Sequence, residues 1–371
     1  MKVEREIAGF SLPFAAGVFM SILAGSHLQS THHTDASVSL AAASLLLAVL
    51  MHPSRRRLAP ALLIMLVAAL FFCTGCFCGT CGKILSVSAS EGRFMMWARS
   101  WGSMMQMQAD SIPFSSPQTN AIIKALLTGE RCDIPPEVTA IFRDSGASHI
   151  LALSGFHLGI IYGLVKHLTS VMGNRRNTLI FRSMITTAAC GIYTMATGAG
   201  PSIVRAFLFI LIGETATMTH RYRSTGSVLL AALFIQLAVS PTSASSAGFQ
   251  LSYAAMAGIA FIFPWLRSLW PGNPHTDGRF AGCVRWIWNS AAMSVSCQLT
   301  TAPLAWMYFH SFPQHFLMTN MTALPLAGVV IPISLITMGL HAAGLCPDLL
   351  IRFTEMLVRT MTDTLDIIAS M

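Results

Sequence analysis

Charge is scarce in this chain. Lys, Arg, Asp and Glu together make up 10% of its 371 residues, against about 25% in a soluble domain. So few charged side chains cannot cover the surface of a water-soluble protein of this length, although length alone would allow two or three such domains. Disorder is excluded as well, because 54% of the residues are hydrophobic and disordered chains are poor in them. Enzyme motifs are also missing. There is no P-loop glycine pattern, no H-E-x-x-H and no His/Asp cluster of a metal hydrolase, so neither nucleotide-driven nor metal-hydrolytic chemistry has a visible carrier. Acidic residues inside the apolar runs are nearly absent, with Glu214 as the exception. That counts against proton- or cation-coupled carriers, which commonly use membrane carboxylates. What remains is apolar length. The mean hydropathy is +0.62, and the chain reads as an all-α, polytopic membrane protein.

Crossing a bilayer takes about 20 mostly apolar residues. Ten stretches qualify, near 9–28, 37–52, 58–78, 146–167, 177–197, 201–219, 225–241, 247–266, 286–309 and 315–344. The first follows a short mixed-charge start (Lys2, Glu4, Arg5, Glu6) and is not read as a cleaved signal peptide. The last contains Pro325 and Pro332 and is expected to be broken or re-entrant. Basic residues fall in alternate loops: Arg55, Arg56 and Arg57; Lys166, Arg175 and Arg176; Arg221 and Arg223; Arg267, Arg279 and Arg285. The intervening loops near 29–36, 198–201, 242–246 and 310–314 contain neither Lys nor Arg. By the positive-inside rule, both termini then face the cytoplasm. Much of the +8 net charge therefore reports topology.

Three parts follow: a three-span segment (1–78), a short outward-facing segment (79–145) and a membrane domain (146–371). In the middle part Phe94, Trp97, Trp101, Met104 and Met105 recur at helical spacing. They predict an amphipathic helix, either lying in the membrane interface or packed on the bundle. A second amphipathic helix is expected over 348–371, with Leu350, Phe353, Leu357, Met361 and Leu365 on one side.

Polar groups inside spans are costly and mark candidate sites. The stretch H-I-L-A-L-S-G-F-H runs from His149 to His157. Eight residues turn a regular helix by about 800°, roughly 80° net. Both imidazoles then share a broad face with Ser154, and Gly155 permits close approach or a break. Two uses fit the histidines: tying helices together, or lining a pore. Arg205 follows Pro201 and Ser202, so a guanidinium lies near a helix start with its free amides and positive dipole end. It reads as an anion-attracting site or as a snorkelling side chain. Glu214 lies nine residues from Arg205, about 13.5 Å along a helix, too far to pair within it. Gln250, Ser252, Gln298 and Asn320 add uncharged hydrogen-bonding groups, which suit interhelical bonds or a polar path. Cys73, Cys76, Cys78 and Cys81 match no common zinc spacing. Disulfides or plain packing are the other options. A serine hydrolase would need Ser148 or Ser154 beside a histidine.

Taken in order, these motifs resemble the ComEC-type competence proteins. The carriers are A-L-L-T-G-E-R (125–131), F-R-D-S-G-A-S-H-I-L-A-L-S-G-F-H (142–157) and the 198–206 stretch with Gly198, Gly200, Pro201, Ser202, Arg205 and Ala206. P-T-S-A-S-S-A-G-F-Q-L-S-Y-A-A (241–255), Q-L-T-T-A-P-L (298–304), Tyr308-Phe309 and N-M-T-A-L-P-L (320–326) continue the series. The resemblance implies a channel of the cell inner membrane that carries single-stranded DNA into the cytoplasm during natural transformation. It carries over His149, Ser154, Gly155, His157, Ser202, Arg205, Gly248, Gln250, Ser252 and Asn320 as path or shaping residues. It implies no catalytic residue, metal or cofactor. Expected partners are the single strand, membrane lipid, an outer-side DNA receptor, a cytoplasmic motor, a separate nuclease and further copies of the chain. The outward OB-like domain and the C-terminal metallo-β-lactamase-like domain of many members have no counterpart in these 371 residues. A permease for another small or amphiphilic substrate and an intramembrane serine hydrolase are the alternatives.

Overall fold

The computed structural model describes residues 11–20, 67–72, 74–75, 93–173, 176–219, 224–270, 279–310 and 314–371. The expected span at 37–52 and the four clustered cysteines lie outside them. No strand occurs among the described residues. In chain order, after short N-terminal helical stretches, come α1 (Arg93–Ser111), α2 (Pro117–Thr128), α3 (Pro136–Asp144), α4 (Ser148–Leu151), α5 (Gly155–Thr169) and α6 (Arg176–Ala196). They are followed by α7 (Pro201–Met218), α8 (Thr225–Val239), α9 (Ala247–Ala257), α10 (Arg279–Phe309), α11 (Phe316–Ala342) and α12 (Asp348–Ala369). α9 continues through a π-helical turn, Gly258–Ile262, into Phe263–Ser268.

Among the described residues, four helices are long and apolar enough to cross a membrane: Asn177–Ala196, Pro201–Met218, Ala247–Ser268 and Phe316–Ala342. The expectation of ten spans is met only in that part. The expected span at 146–167 is interrupted, because α4 ends at Leu151 and α5 begins at Gly155. The expected span at 225–241 is the 15-residue α8. α11 corrects the reading of a broken or re-entrant segment, since it is one 27-residue helix with Pro325 and Pro332 inside it. Each proline removes one backbone bond, which a packed apolar helix tolerates when its neighbours hold it. α12 supplies that support along α11, and the hydroxyls of Thr337 and Thr354 lie 2.8 Å apart between them.

Packing divides the chain into two units: residues 1–90 with 221–257, and residues 91–220 with 258–371. In the first, Phe14, Val18, Leu237, Ala244 and Phe249 form the core. Phe14 and Phe234 rings meet at 4.8 Å. A Cβ at Gly75 would overlap the Phe14 carbonyl oxygen, so glycine there permits backbone contact between distant segments. Ser224 caps α8 by accepting from the Ser227 N–H at 3.1 Å.

The second unit has two cores. α2, α3, α4, α11 and α12 surround Leu126, Leu127, Phe142, Ile150, Ile331 and Met361. α5, α6 and α7 surround Leu158, Cys190, Tyr193 and Ile203. The Tyr193 hydroxyl donates to the Leu127 carbonyl at 2.7 Å and ties the two together. The buried stripe of α12 is Ile351, Thr354, Val358, Met361, Leu365 and Ile368. Of the side expected from sequence, Met361 and Leu365 face this core, while Phe353 is turned outward. α1 confirms the helix expected around Trp97 and Trp101, whose rings lie 5.8 Å apart on its exposed side. Gly102 lets α1 meet the end of α6, because a Cβ there would overlap the Ala196 carbonyl oxygen.

The A-L-L-T-G-E-R motif ends α2. Gly129 takes φ +80° and its N–H donates to the Ala125 carbonyl at 2.9 Å, a left-handed cap that suits glycine. Glu130 Oε1 accepts from the N–H groups of Arg131 and Cys132, each at 3.0 Å. One turn earlier, the buried Lys124 ammonium pairs with Asp110 at 2.7 Å and with Asp133. Burial opposes its charge, but the hydrogen bonds from Asp110 and Asp133 outweigh that and raise its pKa.

Candidate functional site

The break between α4 and α5 creates the site. Ser154 has extended backbone (φ −131°, ψ 173°) and is the N-cap of α5. Its Oγ accepts from the Phe156 N–H at 3.3 Å. Its own N–H donates to His157 Nδ1 at 3.3 Å. This is a capping box with histidine in place of the usual Glu or Gln. Because Nδ1 accepts, neutral His157 carries its proton on Nε2. The ring is 1% exposed, and Nε2 is buried without a hydrogen-bond partner of good geometry. The two imidazoles therefore do not share a face of one regular helix, since the backbone is not helical at Ala152, Leu153 and Ser154. His149 is exposed, on the short α4, with Nδ1 3.1 Å from the Gly146 carbonyl oxygen.

Arg205 lies in the second turn of α7 and is 7% exposed. α7 begins at Pro201 after Gly200, with Gly198 and Ala199 both at positive φ (84° and 51°). That tight turn delivers the helix start. Ser202 is half-buried there. A Cβ on Gly155 would lie 3.2 Å from Ala206 Cβ and 3.5 Å from Arg205 Nη2. The first residue of α5 thus touches the first turns of α7. Further along, Tyr162 and Lys166 of α5 reach Glu214 of α7. α5 and α7 are therefore parallel neighbours whose N-termini lie at one end. Sequence showed one helix start beside Arg205, and the fold supplies two. Each carries a partial positive charge, with a buried guanidinium between them.

α11 completes the wall. Gly328 faces Phe156, with a Cβ position 3.7 Å from the ring. Thr319 Oγ1 donates to the Ser145 carbonyl at 2.5 Å, which brings neighbouring Asn320 to the turn before α4. Asn320 Oδ1 is buried without a hydrogen-bond partner. Gln250 and Ser252 belong to the other unit. There the Gln250 Nε2 donates to the Ala244 carbonyl at 2.9 Å, and Ser252 is buried. Ser154 Oγ also lies 3.1 Å from His157 Nδ1, but the capping bonds account for that contact. On its far side the ring meets backbone, the Ile150 carbonyl, whereas the base of a hydrolytic triad is oriented by a carboxylate.

The carboxylate treated as an outlier in the sequence has a full set of partners. Glu214 Oε1 accepts from the Tyr162 hydroxyl at 2.5 Å and from Lys166 Nζ at 3.0 Å, and Oε2 accepts from Ser183 Oγ at 2.5 Å. It is 4% exposed and joins α5, α6 and α7 at the end opposite Arg205. The Y-x-x-x-K spacing of Tyr162 and Lys166 on one helix face was the signal available for it. No group of metal-ligating side chains is found among the described residues.

A family model described as "Competence protein" matches residues 126–371. Uncharacterized protein YcaI of Escherichia coli (strain K12) is 24% identical over 230 residues, covering 61% of this chain and 30% of that protein. ComE operon protein 3 of Bacillus subtilis (strain 168) is 26% identical over 257 residues, covering 67% of this chain and 31% of that protein. The chain spans about a third of the length of these curated relatives. No solved structure matches it.

Proposed function

The chain belongs to the Competence protein family, and on that premise we propose that it is a multi-pass protein of the cell inner membrane that conducts single-stranded DNA into the cytoplasm during natural transformation. The observation that carries this reading is the pair of parallel helix starts, α5 and α7, with Arg205 between them. A DNA strand is a polyanion, and two positive helix ends with a buried guanidinium favour a passing phosphate. One such station is weak, as conduction requires, because a conduit must release what it binds. Exposed His149 and half-buried Ser202 and Asn320 flank the same region. Ser154, Gly155 and His157 set its backbone. Gln250 and Ser252 lie in the other unit and are assigned to the path by the family resemblance alone. No catalytic step and no cofactor are assigned. Movement would be supplied by a cytoplasmic motor, delivery by an outer-side receptor and strand degradation by a separate nuclease.

Deletion of the gene, scored for labelled DNA reaching the cytoplasm, tests this reading. Loss of cytoplasmic label with surface binding intact is expected. Unchanged entry would return the family scaffold to the permease alternative. The 3.1 Å contact between Ser154 Oγ and His157 Nδ1 is the one observation favouring a hydrolase. Under the conduction reading, Ser154→Ala does not abolish turnover of any lipid or peptide substrate.

A further inference from the structure

The network around Glu214 opens onto a cavity of about 140 Å3 between the ends of α5, α6 and α7. Lys166 and Arg182 stand in its lining with Ser183 and Glu214, and Leu179 and Ile180 form an apolar wall. Nothing in the conduction of a strand uses this site, which lies at the far end of α5 and α7 from Arg205.

The charges are presented unequally. The Glu214 side chain is 6% exposed and the Lys166 side chain 47%. Both carboxylate oxygens are occupied from within, by Tyr162, Lys166 and Ser183. A ligand entering the cavity therefore meets the ammonium first. Lys166 has three N–H donors. Two are used, on the Tyr162 hydroxyl and Glu214, which leaves one for a ligand. Arg182 is fixed at the same cavity by its Nη1, which donates to the Gly173 carbonyl at 3.1 Å. A lysine point charge and an arginine fork at a small cavity suit a phosphate group.

Depth and surroundings say what carries the phosphate. Asn177–Ala196 and Pro201–Met218 have 20 and 18 residues, so at about 1.5 Å per residue each barely covers a hydrocarbon core of about 30 Å. Thr217 and Met218, at the end of α7, line its mouth, and Glu214 and Ser183 lie about 6 and 10 Å inside the helix ends, so the cavity opens at the headgroup boundary and reaches below it. Leu179 and Ile180 are each 39% exposed beside it, and they continue as Phe181 and Met184 along the outer side of α6. That is a track for an acyl chain. In sequence, the stretch between α5 and the apolar part of α6 carries Arg175 and Arg176, and basic stretches mark the side on which anionic lipids concentrate.

We propose that the cavity between the ends of α5, α6 and α7 binds the phosphate of an anionic membrane phospholipid, with Lys166 and Arg182 as its contacts. The test is native mass spectrometry of the full chain released from detergent. Three probes are added in turn: phosphatidylglycerol, diacylglycerol with the same acyl chains, and inorganic phosphate. Wild type is expected to retain one phosphatidylglycerol and to lose diacylglycerol. Arg182→Ala, which leaves the Glu214 network intact, should lower retention at least about tenfold, the scale of one charge-assisted hydrogen bond. Lys166→Ala paired with Glu214→Gln avoids stranding a buried carboxylate and should do the same. Equal retention by wild type and both variants overturns the proposal, as does equal retention of diacylglycerol. Inorganic phosphate held as firmly as the lipid would assign the cavity to a free anion, and that also overturns it.

Discussion

His157 closes the first turn of α5 by accepting the Ser154 N–H on Nδ1, and substitutions separate that role from any role of the imidazole itself. Gln at the same position is an ordinary capping-box residue. His157→Gln is therefore expected to keep both thermal stability and DNA entry near wild type. His157→Ala loses the cap and should cost about 0.5–2 kcal/mol, read as a lower melting temperature. Loss of entry in a fully stable Gln variant would show that the ring acts chemically. Gly102 and Gly155 differ in the same measurable way. A Cβ at Gly102 meets backbone, the Ala196 carbonyl, whereas one at Gly155 meets the Ala206 methyl at 3.2 Å. Gly102→Ala should cost about 1–3 kcal/mol, as overpacking does. Gly155→Ala should cost less, under about 1 kcal/mol, since only a side-chain methyl at 3.2 Å has to give. Equal melting temperatures for the two would contradict the packing. The polar residues of the site were legible in the sequence because charge and amide groups stand out in apolar runs. Their partners were not, since Ser183 reaches Glu214 from another helix and no local spacing records that.

The helices themselves followed from apolar runs and their caps, and the errors have local causes. A span through 146–167 assumed one helix, but the Ser154 hydroxyl and His157 compete for the backbone and start a new one. Pro325 and Pro332 looked like breaks, yet α11 runs through both as one helix, with α12 packed along it. The apolar side expected for α12 was only partly placed, because Thr354, a polar residue, points into the core and bonds Thr337 while Phe353 turns outward. At this scale α2 is anchored at both its start and its middle. Its start is capped from α12, with Glu355 accepting from Ser115 and Ser116 N–H at 3.2 and 3.0 Å. Its middle is locked by Lys124 between Asp110 and Asp133. Lys124→Met should lower stability by about 1.5–3 kcal/mol, the range for hydrogen bonds to charged groups. Because folding raises the Lys124 pKa, the stabilisation is complete below the ordinary lysine value of 10.5. It is lost as pH rises through the higher folded-state value. On the alkaline side, melting temperatures of wild type and variant should therefore converge only above the ordinary lysine range. Convergence near neutrality would contradict the lock.

For the whole molecule, composition was enough to reach the membrane class, and motif order was enough to reach the family. The division into two units was not legible, because it rests on residues near 14 and 71 packing with residues near 234–249, a pairing that apolar periodicity does not encode. The parallel arrangement of α5 and α7 was equally hidden, and it matters most for function. It turns one helix start beside an arginine into two. The decisive measurement is entry of labelled DNA into the cytoplasm for Arg205→Ala and Arg205→Lys at matched membrane abundance. Loss of a charge-assisted contact to phosphate predicts that Ala lowers entry by roughly 10- to 100-fold, while Lys keeps the charge and much of the rate and surface-bound DNA stays constant. Entry by the Arg205→Ala protein at the wild-type rate would contradict the account.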